Sequence, residues 1–251
     1  MPVDIILMLF CAGFVGGGIN AMAGGSSLIT FPVLLAAGLP PTVANASNFV
    51  AVLPANAAAL PAYSGEIKKN RKMALRLIFP SLAGGAIGSV LLIYSTDTFF
   101  LEIIPWLILT ATLLFAFGGT INRAIAARND GRTIAEGMTG YSLVFLFSIY
   151  GGYFGAGLGV IMLAVLRLIG YADFHEANAL KNLTNTMSAF LGVIIFTFSG
   201  LIAWPQALVL MAGSVLGGYT STLYARRISQ TLLTNSIIVL GFFLSAYYFL
   251  K

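Results

Sequence analysis

Apolar segments follow one another along almost the whole chain, at about 5–37, 42–62, 73–94, 99–120, 138–170, 175–198, 202–224 and 230–250. A helix that crosses a bilayer needs roughly 20 such residues. Six of the eight segments have that length, so lipid is the expected solvent. The charge content agrees, because only 8% of the residues are charged, against about 25% in a soluble domain. No stretch is left over for a separate soluble domain, and residues 1–251 read as one all-α integral membrane domain. The N-terminal Met1-Pro2-Val3-Asp4 lacks the basic region of a cleaved signal peptide, so the first segment is expected to stay in the mature protein.

Segments 5–37 and 138–170 are too long for one crossing and are broken by glycine near the middle. The first break runs from Gly16-Gly17-Gly18 through Asn20 to Gly24-Gly25-Ser26-Ser27, and the second from Gly151-Gly152 to Gly155-Ala156-Gly157-Leu158-Gly159. They hold corresponding places in two halves, 1–120 and 138–251. Other matches follow in the same order. Ala44-Asn45-Ala46 pairs with Ala177-Asn178-Ala179, Ser64-Gly65 with Ser199-Gly200, and Ala83-Gly84 with Gly88 pairs with Ala212-Gly213 with Gly217. This ordered set points to an internal duplication.

The charges orient the halves. The loop at 64–72 carries Lys68, Lys69, Arg71 and Lys72, which places it in the cytoplasm. Its partner in the second half, 199–205, has no charge and is expected outside. Equivalent loops on opposite faces mean inverted repeats, and inversion requires an odd number of crossings per half. Both conditions are met if segments 5–37 and 138–170 are re-entrant hairpins, each followed by three transmembrane helices. The acidic loop around Asp97 then lies outside. The loop 120–137, with Arg123, Arg128 and Arg132, lies inside, as do Arg226 and Arg227; Lys251 fits poorly. The competing topology, eight plain crossings, would put the uncharged loop inside and Arg226-Arg227 outside.

Broken helices at a repeat interface mark the expected solute site near the bilayer midplane. Glycines in such a break also have a plainer use, the close packing of neighbouring helices. Half-helix N-termini present free N–H groups and a positive dipole end, which suit an anion. Gly24, Gly25, Ser26 and Ser27 could supply donors in the first half, with Gly157 and Gly159 as counterparts in the second. Asn45 and Asn48 follow on the next helix of the first half. Asn178, Lys181, Asn182 and Asn185 follow in the second half, spaced three and four apart on one helix face. Inter-helix hydrogen bonding is the ordinary role for such amides. Lys181 points further, because an ionisable residue inside a membrane segment is a functional candidate by default; snorkelling to the cytoplasmic surface is its alternative. Arg76 and Arg167, near segment ends, read as interface anchors, and His175 as a solvated loop residue.

The absences narrow the class. All eight acids lie in loops or near segment ends, so no mid-span carboxylate is available for a proton relay or a cation path. Cys11 is the only cysteine and His175 the only histidine, which leaves no zinc site and no disulfide. No phosphate-binding Gly-Lys-Ser/Thr loop is present, so the chain does not hydrolyse ATP. No nucleophile–base pair falls within the apolar segments, which speaks against an enzyme. The net charge of +5 is explained by orientation in the membrane rather than by nucleic acid. No cofactor is expected. The expected partners are a small anionic substrate and membrane lipid; a homo-oligomer, a channel mechanism and a role as a subunit of a larger complex stay open.

The chain resembles the sulfite exporter TauE/SafE family. The resemblance is carried by the glycine-rich first segment running into Phe31-Pro32-Val33-Leu34-Leu35, by Ala44-Asn45-Ala46-Ser47-Asn48, by the Ser64-Gly65-Glu66-Ile67 turn before a basic loop, and by Ala83-Gly84-Gly85-Ala86-Ile87-Gly88. The second half repeats the pattern. Asn20-Ala21-Met22-Ala23-Gly24-Gly25 departs from it, since many members look more like a plain Gly-x-Gly-Gly-Gly there. The resemblance implies export of a small sulfur-containing anion, sulfite or an organosulfonate such as sulfoacetate, across a bacterial cytoplasmic membrane.

Overall fold

The computed structural model describes residues 1–22, 25–58, 60–129, 137–171, 173–224 and 230–250, and these form helices and no strand. Both overlong segments break at their glycines. The first becomes α1 (Val3–Met22) and α2 (Ser27–Ala36). In the second half the corresponding pair comes sixth and seventh after α1, as α7 (Met138–Tyr153) and α8 (Leu158–Leu168). Gly25, Gly155 and Gly157 hold φ of 145°, 78° and 75°, a region that side chains with a Cβ resist. The chain turns back at each break. Gly16 of α1 lies against the Thr30 side chain of α2, and Gly151 of α7 lies against Leu158 of α8. The two legs are unequal. α2 and α8 have 10 and 11 residues, about 15–17 Å of helix, half of a hydrocarbon core of about 30 Å.

Between the breaks run α3 (Pro41–Ala57), the short α4 (Ser64–Lys69), α5 (Arg71–Tyr94) and α6 (Asp97–Asn129). After α8 come α9 (Phe174–Phe198), α10 (Trp204–Tyr224) and α11 (Gln230–Leu250). Two loops expected from the sequence are partly helical. The basic stretch 64–72 contains α4 and the first turn of α5. The expected loop 120–137 is helical as far as Asn129, because α6 continues past its apolar part, where Arg123 Nε donates to the Gly119 carbonyl at 3.2 Å. His175 lies in the first turn of α9, exposed as expected. Arg226, Arg227 and Lys251 lie outside the described residues.

The halves interlock by exchanging helices. α1 packs parallel to α10, with Gly13 and Gly17 against Leu210 and Ser214, and Gly213 and Gly217 against Phe10 and Phe14. α5 packs parallel to α7 in the same manner, through Gly84 and Gly88 against Phe145 and Ile149, and Gly152 against Gly85. At each of these glycines a Cβ would overlap a backbone carbonyl of the other helix. Small residues four apart permit such close approach of membrane helices. The glycines therefore divide by role: those at 16–17, 84–88, 151–152 and 213–217 chiefly pack helices, and those at 25, 155 and 157 turn the chain.

α3 and α9 meet in the centre and run antiparallel. The Asn178 amide near the start of α9 donates to the Tyr63 hydroxyl, just beyond the end of α3, at 2.7 Å. At the opposite end, the Ala203 N–H after α9 donates to Ser47 Oγ near the start of α3 at 2.9 Å. Phe49 and Phe196 stack edge to face between them. Among the described residues four helical stretches, Val3–Asn20, Arg71–Tyr94, Asp97–Ile125 and Phe174–Phe198, are long and apolar enough to cross a membrane. The outer surface carries exposed Phe79, Tyr94, Trp106 and Phe198, an apolar exterior that suits lipid rather than water.

Candidate functional site

A cavity of about 70 Å³ opens between the two helix breaks and the central pair α3 and α9. A single water needs roughly 10–15 Å³ on this measure, so the space holds a small solute with its hydration. The first half contributes Asn20, Gly25, Ser26, Ser27, Asn48 and Asn56; the second contributes Gly155, Gly157, Gly159, Lys181, Asn182, Asn185 and Ser188. Phe49, Val52, Phe154, Leu158 and Ala189 supply apolar wall. The first residues of α2 and of α8 both border the cavity, so two helix N-termini meet there.

Most of the residues expected to contact a solute come together at this point: Gly25, Ser26, Ser27, Asn48, Gly157, Gly159, Lys181, Asn182 and Asn185. Gly24 lies outside the described residues. Asn45 and Asn178 do not line the cavity. Each sits one turn before its cavity-facing neighbour and bonds across to the other half, Asn45 Nδ2 to the Tyr153 carbonyl at 2.7 Å and Asn178 Nδ2 to Tyr63. The outermost turn of that helix face meets protein before it reaches the cavity.

Asn20, Asn56 and Ser188 are lining residues that sequence reasoning did not select. Asn56 follows Asn48 by eight residues and Ser188 follows Asn185 by three, so extending the same helix face would have found both. Asn20 Nδ2 donates to Asn56 Oδ1 at 3.2 Å, which joins the end of α1 to the end of α3 beside the cavity.

The polar groups of the two walls differ in their bonding. In the first half, Thr30 Oγ1 lies 2.6 Å from Asn48 Oδ1, and Asn48 Nδ2 donates to Ser27 Oγ at 3.0 Å. All three residues are buried. In the second half Lys181 lies beside Gly159 and has no hydrogen-bond or ion-pair partner among the described residues. Asn185 Nδ2 lies near the same glycine, and its buried Oδ1 has no partner. Lys181 thus faces the cavity, and no carboxylate is among the lining residues.

Charges elsewhere are engaged outside the cavity. Lys69 of α4 forms an ion pair with Glu176, and Asn70 Nδ2 donates to the same carboxylate at 3.0 Å. The hydrogen bond to Glu176 and its charge raise the Lys69 pKa. Asp173 caps α9 by accepting the Glu176 N–H at 2.9 Å, and this bond is the largest influence lowering its pKa. Asp97 does the corresponding work for α3, accepting from Thr42 N and Thr42 Oγ1 at 3.0 and 2.8 Å. Arg76, exposed as an interface anchor would be, reaches the Tyr141 hydroxyl at 3.5 Å. Among the described residues no three His, Cys, Asp or Glu side chains come together to hold a metal.

Residues 9–248 match the model of the family described as Sulfite exporter TauE/SafE. A "Probable membrane transporter protein" of Haemophilus influenzae is 33% identical over 97% of this chain and 94% of its own length. A "Probable membrane transporter protein ORF9" of Sinorhizobium sp is 28% identical over 88% of the chain and 83% of its own length. "Probable membrane transporter protein YfcA" of Escherichia coli K12 is 26% identical over 95% and 87% respectively. No solved structure matches. With apolar helices of spanning length and relatives of this kind along nearly its full length, the chain is a membrane-embedded transporter, not an enzyme, and it belongs to the TauE/SafE sulfite exporter family.

Proposed function

We propose that this chain exports a small sulfur-containing anion, sulfite or an organosulfonate, across the bacterial cytoplasmic membrane as a secondary transporter or uniporter. The observation that carries the proposal is the Lys181 side chain, which borders the cavity without a partner among the described residues. Leaving a half-buried cation unpaired is costly, and an anion in the cavity supplies the missing charge. Gly25, Ser26, Ser27, Asn48, Gly157, Gly159, Asn182 and Asn185 surround it with backbone, hydroxyl and amide groups. The sulfur in the substrate is inferred from the family description.

Transport proceeds by alternating access of two inverted repeats, 1–120 and 138–251, around this cavity, with α1–α2 and α7–α8 as re-entrant hairpins. The antiparallel course of α3 and α9, which hold equivalent places in the two halves, supports that reading. So do the paired caps, Asp97 on α3 and Asp173 on α9, at the two ends of the molecule. With no carboxylate lining the cavity, the membrane potential is the proposed driving force, and an interior-negative potential favours anion efflux by about 2.3 kcal/mol per charge per 100 mV.

The test is flux of sulfite in liposomes containing only the purified chain, with sulfoacetate, sulfate and acetate for comparison. Saturable sulfite or sulfonate flux that falls when the potential is collapsed is the expected result. Flux of neither anion from folded protein would overturn the substrate assignment. Non-saturating flux would replace alternating access with a channel mechanism.

A further inference from the structure

The cavity has one full charge to offer. Lys181 is the only ionisable group among its lining residues. Residues 21–24, which adjoin it in the chain, are Ala, Met, Ala and Gly. The helices that wall it keep their other charges at a distance. Asp4 is near the far end of α1, about 24 Å along the helix from Asn20. Arg167 is in the last turn of α8, about 12 Å along it from Gly159. His175 is exposed in the first turn of α9, and Glu176 is engaged by Lys69 and Asn70. α2, α3 and α7 contain no Asp, Glu, Lys, Arg or His.

We propose that the site selects anions bearing a single negative charge and discriminates against dianions of the same size. This rests on the cavity being the substrate site. One ammonium and one monoanion leave the cavity electrically neutral. A dianion leaves a net negative charge in a partly desolvated space, and an uncompensated charge there is strongly disfavoured. The amides and the two helix N-termini are fixed dipoles that solvate an anion without neutralising a second whole charge. Among sulfur anions the rule favours singly charged sulfite and simple monosulfonates over sulfoacetate and sulfate.

The test compares sulfoacetate, with two negative charges, with sulfoacetamide, which is nearly isosteric and has one. Each is titrated against the purified full chain in detergent by thermal stabilisation and against sulfite flux in liposomes. The expected result is half-saturation by sulfoacetamide at a concentration lower by about tenfold or more, the scale set by an unpaired charge in a low-dielectric site. Sulfoacetate binding equally or more tightly would overturn the charge rule and leave the transport reading standing. Stabilisation by neither compound, together with an absence of sulfite flux, would remove the cavity as the substrate site and the rule with it. Asn182→Lys adds a second cation to the same wall, and the rule expects it to shrink or reverse the preference. An unchanged preference in a folded Asn182→Lys protein would also overturn the rule. Lys181→Gln should weaken binding of both anions, since neither then meets a compensating charge, and unchanged affinity for sulfoacetamide would overturn the rule; if it fails to fold, the charge-gain variant carries the test.

Discussion

Asn48 of α3 and Lys181 of α9 occupy equivalent places, each three residues after a matched asparagine, Asn45 and Asn178. Their surroundings differ. Asn48 is closed into a network with Ser27 and Thr30 and is 1% exposed. Lys181 faces the cavity with no partner among the described residues. In the first-half wall Asn48, Ser27 and Thr30 satisfy one another by folding alone, whereas the second-half wall leaves the Lys181 ammonium without a partner among the described residues. Two positions matched in the sequence therefore meet different surroundings, one closed into a polar cluster and the other open to the cavity.

The sharpest way to break this comparison is Lys181→Ala. Removing one member of a buried charge pair costs about 3–5 kcal/mol; partial access to water reduces this, so anion affinity should fall on the order of a hundredfold. Thermal stability without anion should hold or rise, and affinity unchanged in a binding titration would take Lys181 out of the site. Asn48→Ala should behave in the opposite way. It strands the buried Ser27 hydroxyl, while Thr30 keeps its bond to the Ser26 carbonyl, so stability should drop by about 1–3 kcal/mol, read from denaturation in detergent. A stable Asn48→Ala protein with weakened anion binding would show that the two walls share one role.

Asn45→Ala and Asn178→Ala probe the next turn out, where both residues bridge the halves. Each should lose about 1 kcal/mol of stability with anion affinity little changed, and a large affinity loss in either would extend the site beyond the cavity. The smallest effect is expected from Asp173→Ala, which removes the cap of α9. The Asp173 pKa is lowered in the folded protein, so its contribution is present above the ordinary carboxylate range and fades as pH falls through the folded value. The small difference in melting temperature from the parent should therefore be seen at neutral pH and vanish in acid.

The cavity-lining residues were partly legible in the chain because two independent signals converge there. Glycine breaks in overlong apolar segments located Gly25, Gly157 and Gly159, and helical spacing located Lys181, Asn182 and Asn185. The same spacing rule also picked Asn45 and Asn178, because periodicity fixes a face but not how far along it a neighbouring helix extends. Asn56 is one polar residue in an apolar run, and its pairing with Asn20 depends on how α1 and α3 meet.

By itself the sequence determined the lipid solvent, the helical class and the places where the chain must break. Hydrophobic length and glycine content are local properties, and a bilayer leaves few other structures for them to form. Only the tertiary structure decided that α1 packs on α10 and α5 on α7, so that glycines matched between the halves become the crossings that join them. Only the fold, too, separated the surroundings of Asn48 from those of Lys181. Whether a polar side chain is already satisfied depends on neighbours brought from distant parts of the chain, and that partnership is not written in any local segment.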